Sequence, residues 1–331
     1  MRIVMMGTGT FAEPTFQALM AEFGPAVVGL VTQPEREQGN KRASTRQTGQ
    51  GMATIAQAAG LPIAQPESIN SPAGLAQLRA WQPDLLVVAA YGQILSPEVL
   101  RIPTQGTINV HASLLPKYRG AAPVAYAILQ GERQTGVTII QVTPGLDSGD
   151  MLAQEAIDIH PDDTTGSLEA RLAQLGARLA VDVVRRYAAG GPVVGIPQDP
   201  TQATKAPKIK KEFGLIPWHQ SAVYLERFVR AMQPWPTAYT FLHRPGKEPL
   251  RLILTKTAVV PRPADCPATA VPGTPWVVSS PSPGLVVTTG DNQALLVHEL
   301  QPAGKKRMTA EEFLRGYPVL SGSRFGPDVL T

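Results

Sequence analysis

"DLLVVAAYG" (Asp84–Gly92) is the stretch that decides the fold. After Asp84 it carries no charge and shows no apolar/polar alternation, so it reads as a short strand covered on both faces. A strand of that kind belongs to a sheet with helices on each side. Working outward, "RIVMM" (2–6) is a second buried strand, with a helix over 11–22 after it. "AVVGLVTQ" (26–33) is a third, and "MATIAQAAG" (52–60) has helical spacing and stops at a glycine. "TINVH" (107–111) and "GVTIIQVT" (136–143) are strands on either side of a helix at about 121–130. "MLAQEAIDI" (151–159) alternates, as a strand with one wet face would, and 164–190 is one long helical pattern. This rhythm predicts an α/β domain over 1–190 with a doubly wound, mostly parallel sheet.

At 191–207 the texture changes. "GPVVGIPQDPTQATKAP" has four prolines and little periodicity, and reads as a linker. Over 208–331 one helix (221–232) is followed by "TAYTFLH", "LRLILTKTAVV", "WVVSS", "GLVVTTG" and "ALLVHEL", separated by Pro, Gly and Asp. Five short strands of this kind predict a small β-barrel domain.

Composition narrows the function classes. The chain has 331 residues, of which 43% are hydrophobic, ample for two packed domains. A single cysteine, Cys266, excludes an internal disulfide, and the five scattered histidines form no metal-ligand spacing. No apolar run approaches the roughly 18 residues of a membrane span, and no signal peptide is visible, so a cytoplasmic protein is expected. Charge is uneven: residues 205–331 carry 16 Lys/Arg against 9 Asp/Glu, and residues 1–204 carry 14 against 17. A basic C-terminal part suits either a polyanionic partner or a plainly solvated surface.

The chemistry concentrates in "TINVHASLLPKYRGAAP" (107–123), which runs off the C-terminal end of a strand, where open α/β sheets bind ligands. Asn109 and His111 are two apart and share a face of that strand. Neighbouring backbone could satisfy such a polar pair, but the Gly- and Pro-rich loop that follows, with Lys117 and Arg119, suits a site. "VTPGLDSGDML" (142–152) is expected at the same edge of the sheet, with Asp147 and Asp150 among glycines able to orient an imidazole. Ser113 lies in no nucleophile elbow. Asn, His and Asp without a nucleophile fit direct transfer to an amine, with an oxyanion held by Asn and His.

"GTGTFA" (7–12) with Glu35 further on also fits a dinucleotide-binding turn, so a nicotinamide-dependent oxidoreductase is one alternative. A non-catalytic RNA-binding protein is another, carried by the basic C-terminal part. Neither uses Asn109, His111 and Asp147.

The quoted stretches closely resemble the methionyl-tRNA formyltransferase family, whose N-x-H and downstream Asp fall on Asn109, His111 and Asp147. Its SLLP segment falls on Ser113, Leu114, Leu115 and Pro116. "VTQPEREQGNKR" (31–42), "KIKKEFGLIPW" (208–218), "RAMQPWPTAY" (230–239) and "LQPAGKKRM" (300–308) extend the resemblance over nearly the whole chain. Three features depart from the family pattern: Gly9 stands where Pro is usual, Pro217 stands where an acidic residue or Asn is usual, and "ASTRQTGQGM" follows Arg42.

The resemblance implies a formyltransferase/Rossmann-like catalytic domain over 1–190, a linker over 191–207 and an OB-like barrel over 208–331 that binds tRNA. It implies 10-formyltetrahydrofolate as co-substrate and initiator methionyl-tRNA as acceptor, with no metal, no dinucleotide and no membrane partner. A glycinamide ribonucleotide-type acceptor is the alternative within the same chemistry. Asn109, His111 and Asp147 are the implied catalytic residues. Ser113, Leu114, Leu115 and Pro116, with Tyr91, Gly92 and Ile94, are the implied folate set. Lys41, Arg42, Arg46, Lys208, Lys210, Lys211, Lys305, Lys306 and Arg307 are expected to meet tRNA. A monomer is expected.

Overall fold

The computed structural model describes residues 1–34, 51–267, 269–278 and 284–329. Two compact units emerge. One comprises Met1–Ala127, Arg133–His160 and Gly166–Lys208, the other Ile128–Glu132, Pro161–Thr165 and Ile209–Thr331.

The first unit is built on β1 (Ile3–Gly7), α1 (Glu13–Phe23), β2 (Val27–Val31), α2 (Met52–Ala58), β3 (Ile63–Ala64), α3 (Pro72–Ala80) and β4 (Leu85–Ala89). Next come α4 (Pro97–Leu100), β5 (Thr107–His111), α5 (Pro123–Gln130), β6 (Gln134–Gln141), β7 (Met151–Asp158) and α6 (Thr165–Ala188). The sheet order is β3-β2-β1-β4-β5-β6-β7. The first five strands in that order are parallel, while β6 is antiparallel to β5 and β7 antiparallel to β6. Every residue of β1 and β4 is buried, which is why their sequences do not alternate. The edge strand β7 does alternate, with one face wet.

Helices cover both faces. Val4 and Met6 of β1 and Leu86 and Val88 of β4 form a cluster with Leu78 of α3 and Val99 of α4. On the other face, α6 lies against β5 and β6 at Gly176. A Cβ there would sit 2.7 Å from Val110 Cγ1. Asn109 and His111 alternate with Val110, so their side chains leave from the face opposite α6.

One expectation is corrected here. The loop 142–150 was to lie at the edge where β5 ends, but the register pairs Ile108 with Gln141 and His111 with Thr138. β6 therefore ends at the opposite edge, and the loop must double back over the sheet face to return to His111.

The proline-rich stretch 191–207, read as a linker, is built into the first unit. Ile196 exchanges backbone hydrogen bonds with Met151 at 2.8 and 2.9 Å, and Arg119 pairs with Lys205.

The second unit holds α7 (Ala222–Ala231), β8 (Ala238–Arg244), β9 (Lys247–Pro261), β10 (Pro275–Val278), β11 (Gly284–Thr288) and β12 (Gln293–Pro302). It ends with β13 (Met308–Thr309), α8 (Ala310–Gly316) and β14 (Arg324–Gly326). Its strands pair antiparallel in the order β10-β11-β12-β9-β8-β14, with β13 beside β12. The path curls on itself: Phe325 of β14 donates its N–H to the Gly273 carbonyl, two residues before β10, at 2.7 Å. The result is barrel-like. Trp218 stacks on Phe325 at 5.7 Å and donates its indole N–H to Thr240 at 3.0 Å, closing one end of the core.

Because α6 touches β5 through Gly176, Gly176→Leu should lower unfolding free energy by about 1–3 kcal/mol. A lowered urea midpoint would show it; an unchanged midpoint would mean that this contact is not tight.

Candidate active site

The site grows from the end of β5. Asn109 lies between Val88 of β4 and Ile140 of β6, and its amide is half-buried. No hydrogen bond reaches that amide among the described residues. It is a pair of donors held on a rigid strand, with no acceptor among the described residues. His111 closes the strand and is 5% exposed.

The chain then turns sharply. The Ser113 N–H bonds back to the His111 carbonyl at 3.0 Å, and the Leu115–Pro116 peptide is cis. Tyr118 adopts φ +62°, a left-handed conformation uncommon for a residue with a side chain. That conformation aims its carbonyl at His111 Nε2, 3.0 Å away. A carbonyl can only accept, so Nε2 carries the proton. Nδ1, the other ring nitrogen, faces Asp147 Oδ2 at 3.7 Å, beyond a direct hydrogen bond but within charge-pairing range.

Asp147 is also left-handed, with φ +45°. Its Oδ2 accepts the Gly120 N–H at 2.8 Å, so the carboxylate is tied to the same loop that holds the histidine. Of the two candidate carboxylates, the structure thus brings Asp147 to His111.

The loop after β5 rests on a polar hub. Thr138, wholly buried on β6, donates to the Ser113 carbonyl at 2.7 Å. Its hydroxyl accepts the Leu115 N–H at 3.2 Å and the Gln154 side-chain N–H at 2.8 Å. Gln154 also donates to the Leu115 carbonyl at 2.9 Å. The Ser113 hydroxyl turns inward to the Lys117 carbonyl at 2.7 Å, so its proton is not offered to a ligand. Leu115 is buried as well, while Leu114 and Pro116 are half-buried.

Tyr91 is 2% exposed within the apolar cluster of β1, β4 and α3. Its hydroxyl has no partner among the described residues, and burial pushes its pKa up to about 12. Its contribution is therefore apolar. Gly92, at φ +83°, and the exposed Ile94 follow at the same edge of the sheet. Arg119 directs Nε and Nη2 at Gln198 Oε1.

The basic residues are distributed differently. Lys41, Arg42 and Arg46 lie outside the described residues. Lys208, Lys210 and Lys211 are exposed. Lys305, Lys306 and Arg307 are exposed on the turn between β12 and β13, where Arg307 lies 3.4 Å from Glu299. Among the described residues no cluster of His, Cys, Asp or Glu could hold a metal, and no helix is long and apolar enough to cross a membrane.

Four residues that hold this loop and its neighbours are not predicted from the sequence: Thr138, Gln154, Gln198, and Thr204, whose hydroxyl accepts the Tyr118 N–H at 2.8 Å. A polar residue in the middle of "GVTIIQVT" was a signal for Thr138. Nothing local marks the other three.

The comparisons with known proteins give the class to which this doubly wound sheet belongs, that of the formyl transferases. The family model described as formyl transferase matches residues 1–184, and that for the formyl transferase C-terminal domain matches 208–318. A methionyl-tRNA formyltransferase of Bacillus subtilis (strain 168) is 42% identical, over 98% of each chain. One of Chloroflexus aggregans is 45% identical over 96% of this chain and 97% of its own. The chain belongs to the methionyl-tRNA formyltransferase family. The sugar 3N-formyl transferase WlaRD, solved in the presence of dTDP and 5-N-formyl-THF, shares the fold with a TM-score of 0.64 at 15% identity. That match covers 92% of this chain and 99% of WlaRD.

Thr138→Val keeps the volume and removes the hub. The unpaired Ser113 and Leu115 backbone groups should cost about 1–3 kcal/mol in unfolding free energy, read from urea denaturation. A neutral substitution would show that the loop does not depend on Thr138.

Proposed function

We propose that the chain transfers the formyl group of 10-formyltetrahydrofolate to the α-amino group of methionine esterified to initiator tRNA. The observation that carries the chemistry is the Asn109 amide, unpartnered among the described residues, on the same strand face as a histidine whose Nε2 is already engaged. The attacking amine forms the new C–N bond at the formyl carbon, and the Asn109 amide donates to the developing oxyanion. With Nε2 engaged by Tyr118, the ring position left for the substrate is Nδ1. A proton there, with the Asp147 carboxylate 3.7 Å away, supports the oxyanion and then moves to the folate nitrogen as the old C–N bond breaks. The attacking nitrogen then gives its extra proton to the emptied Nδ1, so that one proton passes net from the α-amine to the folate nitrogen and the His111 ring returns to its starting state. An ordinary α-amine has a pKa of about 7.7–8.0 and the ester lowers it, so neutral nucleophile is available.

Ser113, Leu114, Leu115 and Pro116, with Tyr91, Gly92 and Ile94, form the proposed folate wall, chiefly by shape. Lys41, Arg42 and Arg46 are proposed to meet the acceptor end of the tRNA. Lys208, Lys210, Lys211, Lys305, Lys306 and Arg307 would contact its phosphates. The glycine turn at Gly7–Ala12 is poorly made for a pyrophosphate. Glu13 places a carboxylate in the first turn of α1, and a proline there lacks an N–H.

Asn109→Ala and Asp147→Ala should each lower kcat for methionyl-tRNA formylation, the former by about 100–1,000-fold. Near-normal rates in both would defeat the assignment. Replacing Lys305, Lys306 and Arg307 together should weaken tRNA binding and flatten its salt dependence, leaving the KM for the folate unchanged. Filter binding across a salt series reads this, and an unaltered slope would place the phosphates elsewhere.

A further inference from the structure

The segment after α6 does more than connect. On one side Ile196 is fixed to Met151, and on the other Thr204 and Ala206 are fixed to the loop that holds His111. The Thr204 hydroxyl accepts the Tyr118 N–H at 2.8 Å, and its carbonyl accepts the Arg119 N–H at 2.8 Å. Between these anchors lies Gln198, flanked by Pro197 and Asp199-Pro200, where φ is restricted.

The side chain of Gln198 is fully used. Its Nε2 donates to the carbonyls of Asp147 and Gly149, each at 2.8 Å. Its Oε1 accepts from Arg119 Nη2 at 2.8 Å and Nε at 3.1 Å. Two acceptors on one side and a guanidinium on the other allow only one orientation of the amide. A flipped amide would set oxygen against two carbonyls and NH2 against the cation. The carbonyl it grips belongs to Asp147, whose left-handed backbone needs an outside hold to persist.

We infer that Gln198 is a positioning residue for formyl transfer: its amide, oriented by Arg119, fixes the Asp147 backbone so that the carboxylate faces His111. The inference rests on the catalytic reading of Asp147 and His111 given above. The side-chain hydrogen bonds of Gln198 go to Arg119, Asp147 and Gly149, so it acts through Asp147.

Two variants of the full chain separate its roles. Gln198→Ala removes all four bonds. Gln198→Glu keeps the volume and the pairing with Arg119 but turns an oxygen on the two carbonyls. Both should lower kcat by on the order of 10- to 100-fold with little change in KM for either substrate. Gln198→Glu, which keeps the pairing with Arg119, serves as the test should the alanine variant fold poorly in a thermal melt. In an Asp147→Ala background, Gln198→Ala should have little further effect, because the group it positions is gone.

Wild-type kcat in Gln198→Glu, with Asp147→Ala impaired, overturns the positioning role and leaves the site reading intact. Full additivity of the two alanine substitutions overturns it as well. Normal rates in Asp147→Ala overturn both the role and the reading it rests on.

Discussion

The direction of one carbonyl, that of Tyr118, governs the candidate site. By accepting from His111 Nε2 it holds the imidazole in one orientation and leaves Nδ1 toward Asp147. The carbonyl points there because Tyr118 is left-handed, a state with an intrinsic cost that packing must offset. Its ring is buried with Ala127 and Ala206, and its N–H is taken by Thr204. The next residues, Arg119 and Gly120, hold the 204–206 segment and the Asp147 carboxylate. Three consecutive residues thus tie together parts of the sequence that lie far apart.

Sheet topology makes this possible. β5 has a parallel neighbour on one side and an antiparallel neighbour on the other. Its C-terminal end emerges beside the glycine turn after β1 and the bend after β4, as in other open α/β sheets. The antiparallel β6 supplies Thr138 beside His111, at the point where the outgoing loop needs a buried partner for its backbone. A parallel strand in that position would have sent the 142–150 loop to the near edge. Instead it returns over the sheet face, and the turn at Asp147 completes the return.

Much of this was legible. The alternation-free core strands, the helix over Thr165–Ala188 and the Asn109–His111 pair follow from residue pattern alone. Helices α3 and α8 are not among the predicted elements, although their caps stand in the sequence: Ser71 before Pro72, and the reciprocal Thr309–Glu312 pair. The direction of β6 was not legible, because an apolar run carries no sign of parallel or antiparallel pairing. Residue pattern alone does not separate Asp147 from Asp150 either, because the separation depends on a backbone conformation that no neighbouring residue requires; the family resemblance is what points to Asp147. Gln198 was out of reach for a plainer reason. Its partner Arg119 is 79 positions away, in a stretch whose prolines read only as punctuation.

The most direct test of the account is nitrogen NMR on chain labelled at histidine, with His111→Gln used to assign the His111 ring among the five histidines. The account predicts a proton on Nε2 of His111 in the resting protein, where the Tyr118 carbonyl accepts it. A ring protonated at Nδ1 alone would contradict it, since Nε2 would then have nothing to give that carbonyl and the geometry around Asp147 would need another cause.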